Sequence, residues 1–203
     1  MIQYSVAVGN GQLDAIETVG GTSPYLRIYD GTMPADCATA LSGNTLLAEG
    51  QLPSDWMAAA SSRSKSKSGT WSLTGQSGAG TGTNGTFWRL YKSDGTTCFA
   101  QGTLGTPFTI NTSALTAANG NVLTFAATTN VAVGQNVSGT GILAGTKVIA
   151  KTSTTVTLSQ SSTAGVSSGA TIRFFYDIEA DNTSIANSQA VSVNSFTITG
   201  SNG

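Results

Sequence analysis

The sequence predicts a mainly β protein: a β-sandwich or jelly-roll-like main domain with one short N-terminal helix, plus a small inserted β-barrel or β-sandwich module. Three observations carry this. Short runs of β-prone residues recur along the chain, bounded by Gly, Asn, Asp and Ser. Only 9% of the 203 residues are charged, against about 25% in ordinary soluble domains. Hydrophobic residues make up 39%, and the polar remainder is dominated by Gly, Ser, Thr and Asn. A disordered chain would be rich in charge and poor in β-branched residues; this profile fits sheets whose polar faces carry hydroxyls and amides.

The helix is read from "NGQLDAIETVGG". Asn10 is the expected cap, Leu13, Ile16 and Val19 recur at helical spacing as a core stripe, and Gly20-Gly21 ends it. Strands follow. "PYLRIYDG" places Tyr25, Arg27 and Tyr29 on one face, with Leu26 and Ile28 on the other. "TLLAEGQLP" is a second strand, and "GTWSLTGQ" puts Trp71 and Leu73 on a common face. "TFWRLYKSDGTTCFAQGTL" reads as a hairpin turning at Ser93-Asp94-Gly95. Before it, "LPSDWMAAASSRSKSKSG" offers at most a turn of helix and then a surface loop in which Arg63, Lys65 and Lys67 alternate with serines. "TGQSGAGTGTNGT" is a second, glycine-rich loop.

Charge nearly disappears after Thr112, and short strands recur at Val122–Phe125, Asn136–Ser138, Thr146–Ala150, Thr155–Leu158 and Thr171–Phe174. Residues 113–174 are therefore expected to form the inserted module, with 1–112 and 175–203 as the main domain. The tail "SVNSFTITGSNG" resumes alternation at Val193, Phe196 and Ile198 and is expected to close the main sheet.

"GTGILAGTK" raises the question of a nucleotide site. A dinucleotide fingerprint requires G-x-G-x-x-G leading into a helix; here Gly139, Gly141 and Gly145 are one residue too long and lead into β-branched sequence. A phosphate loop needs Gly-Lys-Ser/Thr, and Thr146 intervenes before Lys147. These glycines are expected to make turns.

Other chemistry is sparse. The chain has no histidine, so the commonest general base and metal ligand is missing. Asp177, Glu179 and Asp181 would share one face of a strand, where they are weak candidates for a hard cation, a solvated face or an acidic partner for the Arg63–Lys67 loop. A Ser64–Lys65 dyad lies in sequence with nothing to depress the lysine. Trp56, Trp71 and Trp88 suit a core or, less well, a sugar-stacking surface. No catalytic residues and no cofactor are expected. Net charge is -1, which predicts no nucleic-acid partner, and no apolar run predicts a membrane span or signal peptide. Two cysteines, Cys37 and Cys98, could pair but make no framework, and cytoplasmic synthesis favours free, buried thiols.

The strings "LDAIETVGGTSPYLRIYDGTMPADCATALSGNTLLAEGQLPSDWMAAASS", "GTWSLTG", "FWRLYKSDGTTCFAQGTLGT" and "DNTSIANSQAVSVNSFTITGSNG" together resemble a β-rich family of virion structural proteins of tailed bacteriophages. "VAVGQNVSGTGILAGTKV" and "TTVTLSQSS" are similar to small β modules of phage surface and tail proteins. The resemblance implies a particle component and brings no catalytic residues. It does not fix the place on the particle; the leading expectation is a capsid cement or decoration protein on the capsid surface of the virion, made in the host cytoplasm and binding the major capsid protein as a homotrimer. A tail- or baseplate-associated protein is the alternative, and a carbohydrate-binding module a third. Arg63, Lys65, Lys67, Tyr25 and Tyr29 are the expected intersubunit contacts.

Overall fold

The computed structural model describes residues 4–200; Ser201–Gly203, which end the tail quoted above, lie outside the described residues. The order is α1 (Val6–Gly20), β1 (Tyr25–Tyr29), β2 (Leu46–Gln51), β3 (Ser64–Ser66), β4 (Ser72–Gly75), β5 (Thr83–Asn84), β6 (Phe87–Tyr91) and β7 (Cys98–Gly105). Then come β8 (Phe108–Asn111), β9 (Val122–Thr124), β10 (Asn136–Ser138), β11 (Val148–Lys151), β12 (Thr155–Leu158) and β13 (Thr171–Phe175). The chain finishes with β14 (Ile178–Ala180), β15 (Ser184–Ile185) and β16 (Ala190–Thr199). The protein is mainly β with one N-terminal helix. It divides into two compact units, residues 1–106 with 177–203, and residues 107–176.

The main unit is built on one sheet, ordered β14-β7-β6-β1-β2-β4-β16-β3, in which β14 also pairs with β16. That extra pairing closes seven strands into a barrel and leaves β3 as a flap on β16. The two facing layers expected of a sandwich are here opposite walls of a single closed sheet. Closure satisfies the edges that an open sheet would expose. A barrel of about this strand number has an interior that side chains fill, and Leu26, Ile28, Trp71, Leu73, Trp88, Leu90, Ile178 and Phe196 occupy it. Trp71 and Trp88 both pack on Phe196, at ring-centroid distances of 5.2 and 5.3 Å.

Alternation puts a second set of residues outside the barrel. Tyr29, Phe87 and Tyr91 form a cluster there with Tyr25, Met33, Leu41, Leu46 and Cys98 packed against it. The segment between β1 and β2, residues 30–45, lies over this cluster as a strap without regular structure.

The helix begins four residues before the expected cap. Ser5 is the N-cap and accepts from the Val8 N–H, and Gly21, at φ 72°, ends it. Asn10 instead uses its side-chain oxygen to accept the Arg63 N–H at 2.9 Å. Leu13 is buried as expected, but Val19 is 54% exposed: the helix rests on the body through Gly9, Leu13 and Gly20. A side chain at Gly20 would come within 2.6 Å of Phe99, so this contact admits glycine alone.

The other unit begins at Pro107, earlier than the composition shift. β8 pairs with β13 in the register Phe108↔Phe174 and Ile110↔Ile172, so it belongs with the insert rather than the barrel. Two three-stranded antiparallel sheets, β10-β13-β8 and β11-β12-β9, make up this unit. Its core includes Leu123, Phe125, Val137, Val148, Val156, Leu158, Ile172 and Phe174. In the barrel, Leu104 before the insert and Ile178 after it are register partners. The chain therefore leaves and re-enters the main sheet at neighbouring points, the arrangement in which a domain insertion leaves its host fold intact.

Candidate functional site

The segment read as a basic surface loop is an ordered hairpin leading into β3. Ser62 and Arg63 both take positive φ, 50° and 61°. Ser61 and Ser64 exchange backbone hydrogen bonds across them at 2.8 and 2.9 Å. This is a two-residue hairpin with both central residues left-handed. It folds β3 back so that Ile198 of β16 faces Lys65 in register.

Lys65 then points inward. Its side chain is 1% exposed, and its Nζ donates to Asp14 Oδ1 at 2.7 Å and pairs with Glu17 Oε2 at 2.9 Å. Asp14 and Glu17 sit one helical turn apart on α1. Burial works to lower the Lys65 pKa, but the hydrogen bonds to Asp14 and Glu17 outweigh it and raise it. The hydrogen bond to Lys65, helped by the Ala60 N–H, draws the Asp14 carboxyl down. Lys65 is thus an ammonium that ties α1 to β3. It is no surface contact, as the sequence suggested, and a raised pKa is the reverse of what a Ser64–Lys65 nucleophile needs. Alternation in a serine-rich run gave no sign of a partner, because Asp14 and Glu17 lie some fifty residues away in sequence.

Beside this ion pair, α1 and residues 54–59 border a groove of about 570 Å³, lined by Asp14, Glu17, Asp55, Met57, Ala58 and Lys65. Asp14, Glu17 and Lys65 in its lining are already paired with one another. Lys67 donates to the Gly69 carbonyl at 2.8 Å, and Arg63 donates to the Tyr4 carbonyl. Both remain half-buried.

Of the two tyrosines expected at an interface, Tyr25 is half-buried, but Tyr29 is 4% exposed under the strap. Its ring stacks on Phe87 at 5.4 Å, and its hydroxyl meets that of Tyr91 at 3.2 Å. Burial and then the Tyr91 hydrogen bond push its pKa well up. The strap that covers it was invisible to a reading of strand faces alone.

Asp177, Glu179 and Asp181 alternate with the buried Ile178 and Ala180. β14 spans Ile178–Ala180, and its register on β16 shifts between Glu179 and Ala180. The residue passed over in that register is Asn194 on β16, so β14 keeps its own alternation. Asp177 accepts from the N–H and hydroxyl of Thr103, at 2.9 and 3.1 Å. Asp181 accepts from the Ser192 N–H at 3.0 Å. Among the described residues no group of three or more His, Cys, Asp or Glu side chains is placed to hold a metal ion.

The tryptophans are buried: Trp56 and Trp71 at 0% exposure and Trp88 at 3%. Their indole N–H groups donate to the carbonyls of Gly21, Trp56 and Ser68, and Thr103 respectively. None of the three is a stacking platform. "GTGILAGTK" makes turns: Gly141 and Gly145 have φ of 81° and 77°, and β11 follows rather than a helix.

Two faces that sequence reasoning missed are exposed. On α1, Val6, Val8 and Val19 are 53%, 46% and 54% exposed, with Ala7, Gly11, Gln12, Ala15 and Thr18 also at the surface. All of these except Val6 fall on one side of the helix, which is uncharged and largely apolar. On the insert, Leu115, Val133 and Ile149 are exposed. Among the described residues no helix is long and apolar enough to cross a membrane. Compared with known protein families, curated proteins and solved structures, the chain matches none.

Proposed function

We propose that this chain is a virion structural protein of a tailed bacteriophage, of the capsid cement or decoration type. It acts by contact, binding the major capsid shell as a homotrimer, and not by turnover of a substrate. The resemblance of its sequence to that family supports the reading, as does a barrel filled by its own aromatic side chains. The observation that carries it is the uncharged side of α1. Val8 and Val19, about half exposed among small uncharged neighbours, give that side a surface suited to packing against another chain. Contact thus moves from Lys65 and Tyr29, which are internal, to α1, with Tyr25, Arg63 and Lys67 as further half-buried candidates.

Many weak contacts repeated on a lattice reinforce one another through effective concentration. The test is quantitative mass spectrometry of purified particles. A copy number comparable with that of the major capsid protein is the expected result. A few copies per particle would favour the tail or baseplate, and absence from particles would end the proposal. In solution, Val8→Glu with Val19→Glu should turn a trimer into a monomer without loss of helix signal.

A further inference from the structure

Outside the barrel, a second polar feature holds the strap, and it brings the two cysteines together. Arg89 on β6 is 3% exposed. Its Nη2 donates to the carbonyls of Asp36 and Thr39, both at 2.8 Å, and its Nε to Gln101 Oε1 at 3.0 Å. Gln101 in turn donates to the Pro34 carbonyl at 2.7 Å. Cys37 lies between the two carbonyls that Arg89 grips.

Cys98 reaches the same face through a bulge. Arg89 pairs with Gln101 and Leu90 with Ala100, but Tyr91 pairs with Cys98, the register shifting between Leu90 and Tyr91. One extra residue, Phe99, is accommodated on the core side, where it packs against Trp56 at 5.9 Å. The shift turns Cys98 outward, beside Tyr91 and under the strap. The two thiols are free and each half-buried, and Cys37 is the neighbouring thiol that acts on Cys98.

We infer that Cys37 and Cys98 form a reversible thiol–disulfide exchange site that locks the strap to the barrel. The co-reactant is a small disulfide of the glutathione class. Cys37, in a loop whose flanking residues are exposed, attacks as the thiolate, forming a mixed disulfide and releasing one small thiolate, which takes up the proton that Cys37 lost. Cys98 then gives up its proton and attacks the Cys37 sulfur, expelling the second small thiol. Two protein thiols are oxidised and one small disulfide is reduced to two thiols. Burial and then the Cys37 contact push the Cys98 thiol up to about 12, which assigns it the second step, where proximity compensates for a scarce thiolate.

The inference does not depend on the role proposed above. The full chain, incubated with oxidised glutathione at about pH 8, should lose both titratable thiols and two hydrogens in mass, retaining no glutathione. A peptide linking Cys37 to Cys98 should appear, and the unfolding midpoint should rise by about 10 °C, from the constraint a cross-link places on the unfolded chain. Dithiothreitol should reverse both changes. Cys98→Ser should stop at a glutathione adduct on Cys37. Should that variant fold poorly, rapid quenching of the unsubstituted chain should trap the same adduct as a transient. Glutathione retained by the unsubstituted chain, or thiols that stay unreacted, would overturn the site. A disulfide that leaves the midpoint unchanged would overturn the lock.

Discussion

The two units hold down their irregular backbone with different chemistry. In the main unit the buried polar residues are cations. Lys65 clamps α1 through Asp14 and Glu17, and Arg89 clamps the strap through two carbonyls. In the insert they are neutral: Thr112, Thr116, Thr128, Thr146, Ser162 and Gln135. There Thr112, Thr116 and Thr146 donate to the carbonyls of Ser167, Val122 and Leu143 at 2.6, 2.9 and 2.7 Å, and Thr128 donates to that of Thr152. A buried cation reaches far and can collect several acceptors, but it needs carboxylates or carbonyls brought to it. A buried hydroxyl reaches one carbonyl nearby and carries no net charge into the core. Charge is distributed accordingly. All ten carboxylates of the chain lie in the main unit, while the insert has three cations, Lys147, Lys151 and Arg173, and no carboxylate.

The comparison breaks most readily at the cores. Phe174→Ala removes a ring packed on Phe108 and Phe125 and should cost about 4 kcal/mol. A core this small rarely supplies more than about 3–5 kcal/mol, so the insert should unfold. Trp71→Ala should cost the barrel a similar amount. All three tryptophans are in the main unit, so their fluorescence reads the barrel and amide exchange reads the insert. If Phe174→Ala lowered the fluorescence midpoint as much as Trp71→Ala does, the two cores would fold as one and the distinction would fail.

The clamps come next. Lys65→Met keeps most of the stem but abandons Asp14 and Glu17, and should cost about 2 kcal/mol. The loss should be local, seen as faster amide exchange across Leu13–Gly20 with the barrel amides unchanged. Uniform exchange over the whole unit would show that α1 is integral to the barrel.

A milder effect follows from pH. Asp14 is held down by Lys65, Asp36 by the Thr39 hydroxyl and N–H, and Asp94 most strongly, by the Thr97 hydroxyl and N–H and then the Thr96 N–H. Carboxyls depressed in the folded state contribute stability above their unfolded values, near pH 4, and lose it as pH falls through the folded values. Between pH 7 and about pH 3 the fluorescence midpoint should drop by a few degrees while insert amide protection stays level. Equal sensitivity in the insert would contradict the division of charge. The smallest change is Ser62→Gly, which relieves a left-handed non-glycine and should add about 0.5 kcal/mol to the main unit. No gain would mean that the hairpin is not strained there.

Much of this architecture was legible along the chain. Tyr25–Tyr29, Phe87–Tyr91 with Cys98–Gly105, and Trp71 with Leu73 follow from alternation and turn residues, which act over a few positions. The turns at Gly141 and Gly145 were legible for the same reason, since strand-like sequence follows them. The site residues were harder to place. Lys65 and Tyr29 looked exposed because alternation says which residues share a face, not whether another segment covers that face.

By itself, the sequence determined a mainly β chain with one helix, its turn glycines, its low charge and the existence of an inserted β unit. Each of these rests on propensity and periodicity, which are local. Tertiary structure alone decided that β14 meets β16 to close the barrel, that Lys65 finds Asp14 and Glu17, and that a bulge at Phe99 turns Cys98 toward Cys37. These pairings join residues far apart in the chain, and what selects them is the collective burial of a common core.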